Sequence, residues 1–424
     1  MDLDYSKELD RINSLVSSQN TWRKKECINL IASENVTSPS VDNVYSSDFS
    51  HRYAEGDPRK RYYNGTKYID ELEEYATSLA SDLFNSTHAN LQPISGTVAN
   101  FAAISMFTSP GDTVITNATT AGGHISHNQS GAAGILGTNV VNFPITEDGF
   151  HIDVDKAKKL IDKKWVGARS KLSLLLFGCS LYLFPQPVKE LAEDAHNSGI
   201  RVVYDAAHIL GLIAGKRFQD PLREGADVVT GSTHKTFFGP QGGIILSNID
   251  DKEWKRCKSS VFPGVVSNHH LHRIPALAIA MLEHKAFGQD YADQVIRNAK
   301  IFAQSLSGEG FNVAAEKFGF TESHQVAVDV GKLGGGLSVA NKLEENNIIV
   351  NKNLMPWETI SFSTLSNPSG IRIGVQEMTR WGMKGDDFKE LAKIFRGILI
   401  DGKLMKKEVG EFRSRFQKIN YAFS

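Results

Sequence analysis

Six short apolar runs, set apart by segments with helical spacing, constrain this chain more than any other feature. They are DTVIT (112–116), NVVNF (139–143), KLSLLLF (171–177), GIRVVYD (199–205), ADVVTGS (226–232) and GGIILS (242–247). Runs this apolar suit strands buried on both faces, and patterns such as VKELAEDAHNSG between them supply crossover helices. The expectation is an α/β fold built on a mostly parallel sheet flanked by helices. After residue 300, ESHQVAVDV and GIRIGV read as short strands among helices, which predicts a smaller C-terminal α/β domain.

At 424 residues the chain is too long for one simple core. Three parts are expected: an N-terminal helical arm over 1–25, a large domain over 26–280 and a small domain over 281–424. Apolar residues Leu72, Tyr75, Leu79 and Leu83 predict a helix over 68–84, preceded by a long loop over 37–66 rich in Ser, Tyr, Arg and Gly.

Charge excludes several classes of partner. Lys and Arg (47) almost balance Asp and Glu (48), so no basic field exists to recruit nucleic acid or an anionic membrane. Cys27, Cys179 and Cys257 are far apart and odd in number, which fits a reducing compartment better than a disulfide framework. MDLDYSKELDRIN has neither the basic start nor the apolar core of a signal peptide, and a cytoplasmic location is expected. His269, His270 and His272 lie close together, but no carboxylate or Cys stands at ligand spacing. No metal is expected there, and the three are read as interface or phosphate-side residues.

In open parallel sheets, ligands sit outside the carboxyl ends of strands. One candidate strand ends in Asp205-Ala-Ala-His208 and another runs into Gly231-Ser-Thr-His-Lys235. Upstream, Ser95-Gly96-Thr97 opens the helix VANFAAISMF. Each has an ordinary reading alone: a helix cap, an ion-pair partner, a solvated lysine. Together they match one chemistry. A pyridine ring withdraws electrons strongly only when its nitrogen is held protonated, which a buried carboxylate such as Asp205 achieves. Its aldehyde needs an amine, Lys235, for an exchangeable Schiff base, and its phosphate needs an anion cup, Ser95, Gly96 and Thr97. The cofactor these residues suit is pyridoxal 5′-phosphate, acting at the α-carbon of an amino acid. Neither GxGxxG nor GxxxxGK[ST] follows a strand, which disfavours a nucleotide site.

The chain resembles the serine hydroxymethyltransferase family nearly end to end, through IASEN (31–35), RYAEG…KRYYNG (52–65), QPISGTVAN (92–100), GGHISH (122–127), YDAAH (204–208), TGSTHKTFFGP (230–240), FPG (262–264), VNKN (350–353) and SGIRIG (369–374). Details such as FPGVVSNHH resemble its archaeal branch. The resemblance implies the type I fold of pyridoxal-phosphate transferases, with a mostly parallel seven-stranded sheet. It also implies a reversible transfer of the serine hydroxymethyl group to a reduced pterin, giving glycine and a methylene-pterin. By motif position, Lys235 would carry the cofactor, Asp205 would pair with its ring nitrogen and His124 would stack on the ring. Ser180, His208, Thr233, His234 and Asn268 would complete the cofactor contacts. Arg372 and Ser33 would hold the substrate carboxylate, with His208 nearby. Glu55, Tyr53 and Tyr63 would reach into a neighbouring subunit's site, which implies a homodimer with shared active sites. There Tyr53 would touch the cofactor, and Glu55 and Tyr63 would serve substrate and catalysis. Tyr62, Gly123, Ile125, Phe262 and Asn353 match pterin-contacting positions.

The sequence departs from the bacterial and eukaryotic pattern at Gln241, where those enzymes have Arg, at Asn268, where a Gly is usual, and at Asp57 and Arg59. It leaves open whether the pterin is tetrahydrofolate or a methanopterin-type carrier. Two rival readings remain at this stage: a threonine or β-hydroxy-amino-acid aldolase of the same fold, and a non-catalytic homologue acting as a binding or structural dimer.

Overall fold

All six apolar runs become strands of one sheet in the computed structural model, which describes residues 4–163, 165–166 and 170–423. The sheet order is His88–Asn90, Gly243–Ser247, Val228–Ser232, Arg201–Asp205, Ser170–Phe177, Thr113–Thr116, Asn139–Asn142, with Trp165–Val166 added against Ser170–Phe177. From Val228–Ser232 to Asn139–Asn142 every neighbouring pair is parallel. Gly243–Ser247 runs antiparallel to Val228–Ser232. The connection over 233–242 holds no crossover helix, and a parallel return needs one.

The strands are apolar throughout because both faces are covered. Leu175, Phe177, Val202 and Tyr204 pack into one hydrophobic cluster, while Leu174, Leu176 and Val203 pack into another on the opposite face. Helix Gly96–Phe107 covers the second face. Lys67–Phe84 and Arg273–Gly308 lie over the first. Truncating a fully buried leucine here, such as Leu175, costs about 2–5 kcal/mol.

The expected helix over 68–84 is Lys67–Phe84, stopped by Asn85 in the left-handed conformation. The segment over 37–66 is more ordered than a loop. It holds helix Pro39–Tyr45, with Ser38 as its cap and proline in the first turn, and the hairpin of Gly56–Asp57 with Lys60–Arg61. Helix Arg273–Gly308 is continuous through residue 280, where a domain boundary was expected. Its Pro275 is tolerated because the first-turn N–H groups have no helical partner.

Beyond that helix, Asn312–Val313, Gln325–Asp329, Gly370–Gly374 and Asn351–Asn353 form a second, antiparallel sheet in that order. Ile28–Asn29 pairs in parallel with Ile348–Ile349, tying residues near the N-terminus to this part. The first helix, Tyr5–Thr21, has no buried residue. Its Tyr5, Leu9, Ile12 and Val16 form an exposed apolar stripe at helical spacing. No helix among the described residues is long and apolar enough to cross a membrane.

Candidate active site

The carboxyl ends of the parallel strands and the start of helix Gly96–Phe107 enclose a cavity of about 180 Å³, lined among others by Ser95, Gly96, Thr97, His124, Asp205 and Lys235. Ser95 caps the helix, its hydroxyl accepting from the Val98 N–H at 3.1 Å. A Cβ on its neighbour Gly96 would press against the Ser232 hydroxyl, which would have to turn aside. Free N–H groups and hydroxyls at the start of a twelve-residue helix form a cradle for a phosphate.

Asp205 ends its strand deep in the protein. Its Oδ2 accepts from Asn100 Nδ2 at 2.7 Å and lies 2.9 Å from His127 Nε2, and its Oδ1 accepts from the Ala207 N–H at 2.8 Å. Burial alone would raise its pKa. The His127 and Asn100 bonds outweigh that and hold the carboxyl below the usual carboxylate range. Asn100 is itself fixed by the Thr230 hydroxyl, which donates to its Oδ1 at 2.5 Å. Gly178 passes close behind with φ +141°, where an added Cβ would come within 2.7 Å of the Asp205 Cβ. The carboxylate is ionised, rigid and able to hold a proton on a ring nitrogen.

Lys235 follows the next strand. Burial, helped by the charge of Arg372 and opposed by Asp205, pushes its amine down to about 8. An amine so placed is a far better nucleophile near neutrality than a surface lysine. His124 is pushed down to about 4, chiefly by burial, and its Nδ1 lies 2.7 Å from the Ser126 hydroxyl. Burial also keeps His208 neutral, its Nδ1 accepting from Gln325 Nε2 at 3.0 Å. His234 lines the cavity, and burial brings it to about 4.

Arg372 lies in the second sheet and is buried. Nη1 donates to the Ser180 carbonyl at 2.6 Å, while Nε and Nη2 share Asn351 Oδ1 at 3.3 Å each. Burial pushes its pKa down to about 10. One N–H on each terminal nitrogen stays uncommitted, the pair that a carboxylate takes in a bidentate contact. Ser33 lines an adjoining cavity that shares His234 with this one.

Other expected residues stand elsewhere in the chain. Thr233 is buried, but its hydroxyl donates to the Pro240 carbonyl at 2.6 Å and serves the loop. The Asn268 side chain braces backbone, accepting from the Ala54 N–H at 3.0 Å and donating to the Arg52 carbonyl at 3.1 Å. Tyr53 and Tyr63 pack 5.4 Å apart along a separate groove. Tyr62 meets Phe262 at 6.2 Å, and Glu55 accepts from the Ser267 hydroxyl. Ile125 is exposed, Gly123 bridges to Cys179, and Asn353 lies at the edge of the second sheet. His269 differs from its interface or phosphate-side reading. It is buried and sits 3.0 Å from Glu73, which with Asp70 pairs with the buried Arg61. His272 packs edge-on against Tyr45. Among the described residues no group of His, Cys, Asp and Glu is arranged to hold a metal.

Asn100 and His127 bond to Asp205 and Gln325 bonds to His208, and none of the three was singled out from the sequence. The available signal was a polar Asn inside an otherwise apolar helix and a His one turn after His124.

The serine hydroxymethyltransferase family model matches residues 7–395. A serine hydroxymethyltransferase of Sulfolobus acidocaldarius is 50% identical over 420 residues, covering 98% of this chain and 95% of that one. One of Staphylothermus marinus is 49% identical over 419 residues, covering 98% and 93%. Among solved structures, the L-threonine transaldolase of Pseudomonas fluorescens in its internal aldimine state superposes with a TM-score of 0.87 at 27% identity, covering 99% of this chain and 94% of that one.

Proposed function

The chain belongs to the serine hydroxymethyltransferase family, and from that premise we propose how its residues divide the work of moving the hydroxymethyl group of L-serine to a reduced pterin. The donor set fits pyridoxal phosphate: an amine, an ionised acid and an anion cup open onto one cavity. Bound there, the cofactor supplies an imine-forming aldehyde and an electron-poor ring that stabilises negative charge at the substrate α-carbon.

Lys235 would hold the cofactor through its amine. Ser95, Gly96 and Thr97 would hold the phosphate. Asp205, kept ionised by Asn100 and His127, would hold a proton on the cofactor's ring nitrogen, and His124 would pack against the ring. Arg372 takes the serine carboxylate on its two free N–H groups, with Ser33 beside it, and so orients the bond from the α-carbon to the hydroxymethyl group. His208, held neutral, faces the substrate without adding charge. Reversal of the same steps makes serine from glycine.

Glu55 is the candidate proton carrier at the serine hydroxyl. It stands outside the cavity of its own chain, as do Tyr53, Tyr62 and Tyr63, which supports a homodimer whose partner supplies these groups. The exposed stripe on helix Tyr5–Thr21 also supports a dimer, since a helix with no packed face gains little stability alone. The pterin would then lie near Tyr62, Phe262, Gly123, Ile125 and Asn353. A division into a large cofactor-binding part and a smaller C-terminal part, meeting along helix Arg273–Gly308, belongs to the same proposal. So does a cytoplasmic location, supported by three free, buried cysteines.

One observation carries the reading: Asp205, Lys235 and the Ser95–Thr97 cup line one cavity, and Arg372 is near enough for its charge to act on Lys235. The deciding experiment measures serine-to-glycine conversion with and without tetrahydrofolate or a methanopterin-type carrier. Conversion that depends on the carrier is expected. A rate indifferent to either carrier, with fast cleavage of allo-threonine, would favour an aldolase instead.

A further inference from the structure

Arg273 opens the Arg273–Gly308 helix with a guanidinium that is buried and has no anionic partner among the described residues. Nη1 and Nη2 donate to the backbone carbonyls of Leu91 and Gly243, and Nε has no partner at all. Burial pushes its pKa down to about 10. A buried cation held only by carbonyl dipoles is costly, and an arriving anion relieves that cost.

The guanidinium lies directly behind the phosphate cup. A Cβ on Gly242 would collide with it, and a Cβ on Gly243 would strike the Ser95 carbonyl from the other side. The Gly243 N–H also donates to the Pro93 carbonyl at 2.9 Å. One thickness of glycine backbone therefore separates Arg273 from the residues of the cup, and two bare glycines let the charge come that close. Its field already reaches His234, which lines the cavity.

The cup itself is short of positive charge. A phosphate monoester carries about −1.5 to −2 at neutral pH, whereas a helix N-terminus offers roughly half a positive charge. Lys235 is committed to the aldehyde at the other end of the cofactor. Gln241, on the same loop, is exposed and uncharged.

We propose that Arg273 is the counter-charge for the cofactor phosphate, acting through the Gly242–Gly243 backbone without touching the anion. It is a positioning residue that makes this chain prefer the phosphorylated vitamin. The inference rests on pyridoxal phosphate being the cofactor, and that premise is checked separately, because a wild-type chain that fails to bind the cofactor sinks the premise and not only the role of Arg273.

The test compares the cofactor-free wild type with Arg273→Met and Arg273→Lys, measuring affinity for pyridoxal phosphate and for pyridoxal by absorbance titration. In Arg273→Met the phosphorylated form should bind on the order of tenfold or more weakly, with pyridoxal affinity unchanged. Arg273→Lys should keep most of the preference. Equal losses for both ligands, or no loss for either, would overturn the proposal and leave Arg273 a purely structural residue. Should Arg273→Met not fold, phosphorus NMR of the wild-type holoenzyme decides. A bound phosphate that stays dianionic well below pH 6 supports the counter-charge, and one that titrates like a free monoester, near 6, overturns it.

Discussion

Arg372→Lys isolates the geometry of carboxylate binding from its charge. Three of the five N–H groups of Arg372 are committed, one to the Ser180 carbonyl and two to Asn351. The two that remain lie on different nitrogens and can meet both oxygens of one carboxylate. A lysine keeps the cation but offers a single point contact, so one charge-assisted hydrogen bond is lost. Such a bond contributes about 1.5–3 kcal/mol, which predicts a serine dissociation constant raised roughly 10- to 150-fold. Arg372→Gln also removes the charge and should cost about 2–5 kcal/mol of substrate binding. Spectral titration of the holoenzyme with serine and with glycine reads both effects. Cofactor affinity should not change, since the phosphate cup and Asp205 lie on the other sheet. If Arg372→Lys bound serine within threefold of wild type, or lost cofactor and substrate together, the carboxylate role would be refuted.

Lys235→Met should abolish the borohydride-reducible visible absorbance while leaving the fold intact by circular dichroism. In the cofactor-free chain the Lys235 amine loses its proton near pH 8, and only the free amine attacks an aldehyde. The rate of reconstitution with pyridoxal phosphate should therefore climb as pH rises toward about 8 and level off above it. A flat profile between pH 6 and 9 would contradict the depressed amine. His127→Phe removes a donor that offsets the burial of Asp205. The Asp205 carboxyl should then take up its proton at higher pH, and the acid limb of the kcat profile should move upward. Mixing Lys235→Met with Glu55→Gln subunits tests the shared site. Random re-pairing of two inactive chains should restore about a quarter of wild-type activity if Glu55 serves its partner's cofactor, and none if it serves its own.

The central strands were legible because burial on both faces left apolar runs with no other use. Ser170–Phe177 extends the expected 171–177 by one residue, and Arg201–Asp205 ends where 199–205 was expected to end. His88–Asn90 was missed. It is three residues long, on the edge of the sheet, and too short to show any period. The order within 37–66 was hidden for another reason. Its Arg61 forms buried ion pairs with Asp70 and Glu73, and Glu73 also meets His269, so the contacts that organise it lie in a helix and a distant loop.

The same division runs through the site. Ser95, Asp205 and Lys235 were readable because each sits at the end of a strand or the start of a helix, where fold and chemistry leave one local signature. Asn100 and His127 were not, because their function is to satisfy Asp205, and that relation exists only once a helix and a loop fold over the strand end. Glu55 belongs to neither group. Its motif is legible, yet it does not line the cavity that its chemistry would need. A half-buried carboxylate bonded only to the Ser267 hydroxyl among the described residues, away from the cofactor cavity of its own chain, is what a site divided between two chains requires. The distance between motif and cavity therefore argues for a partner subunit more directly than does the exposed aromatic surface around it.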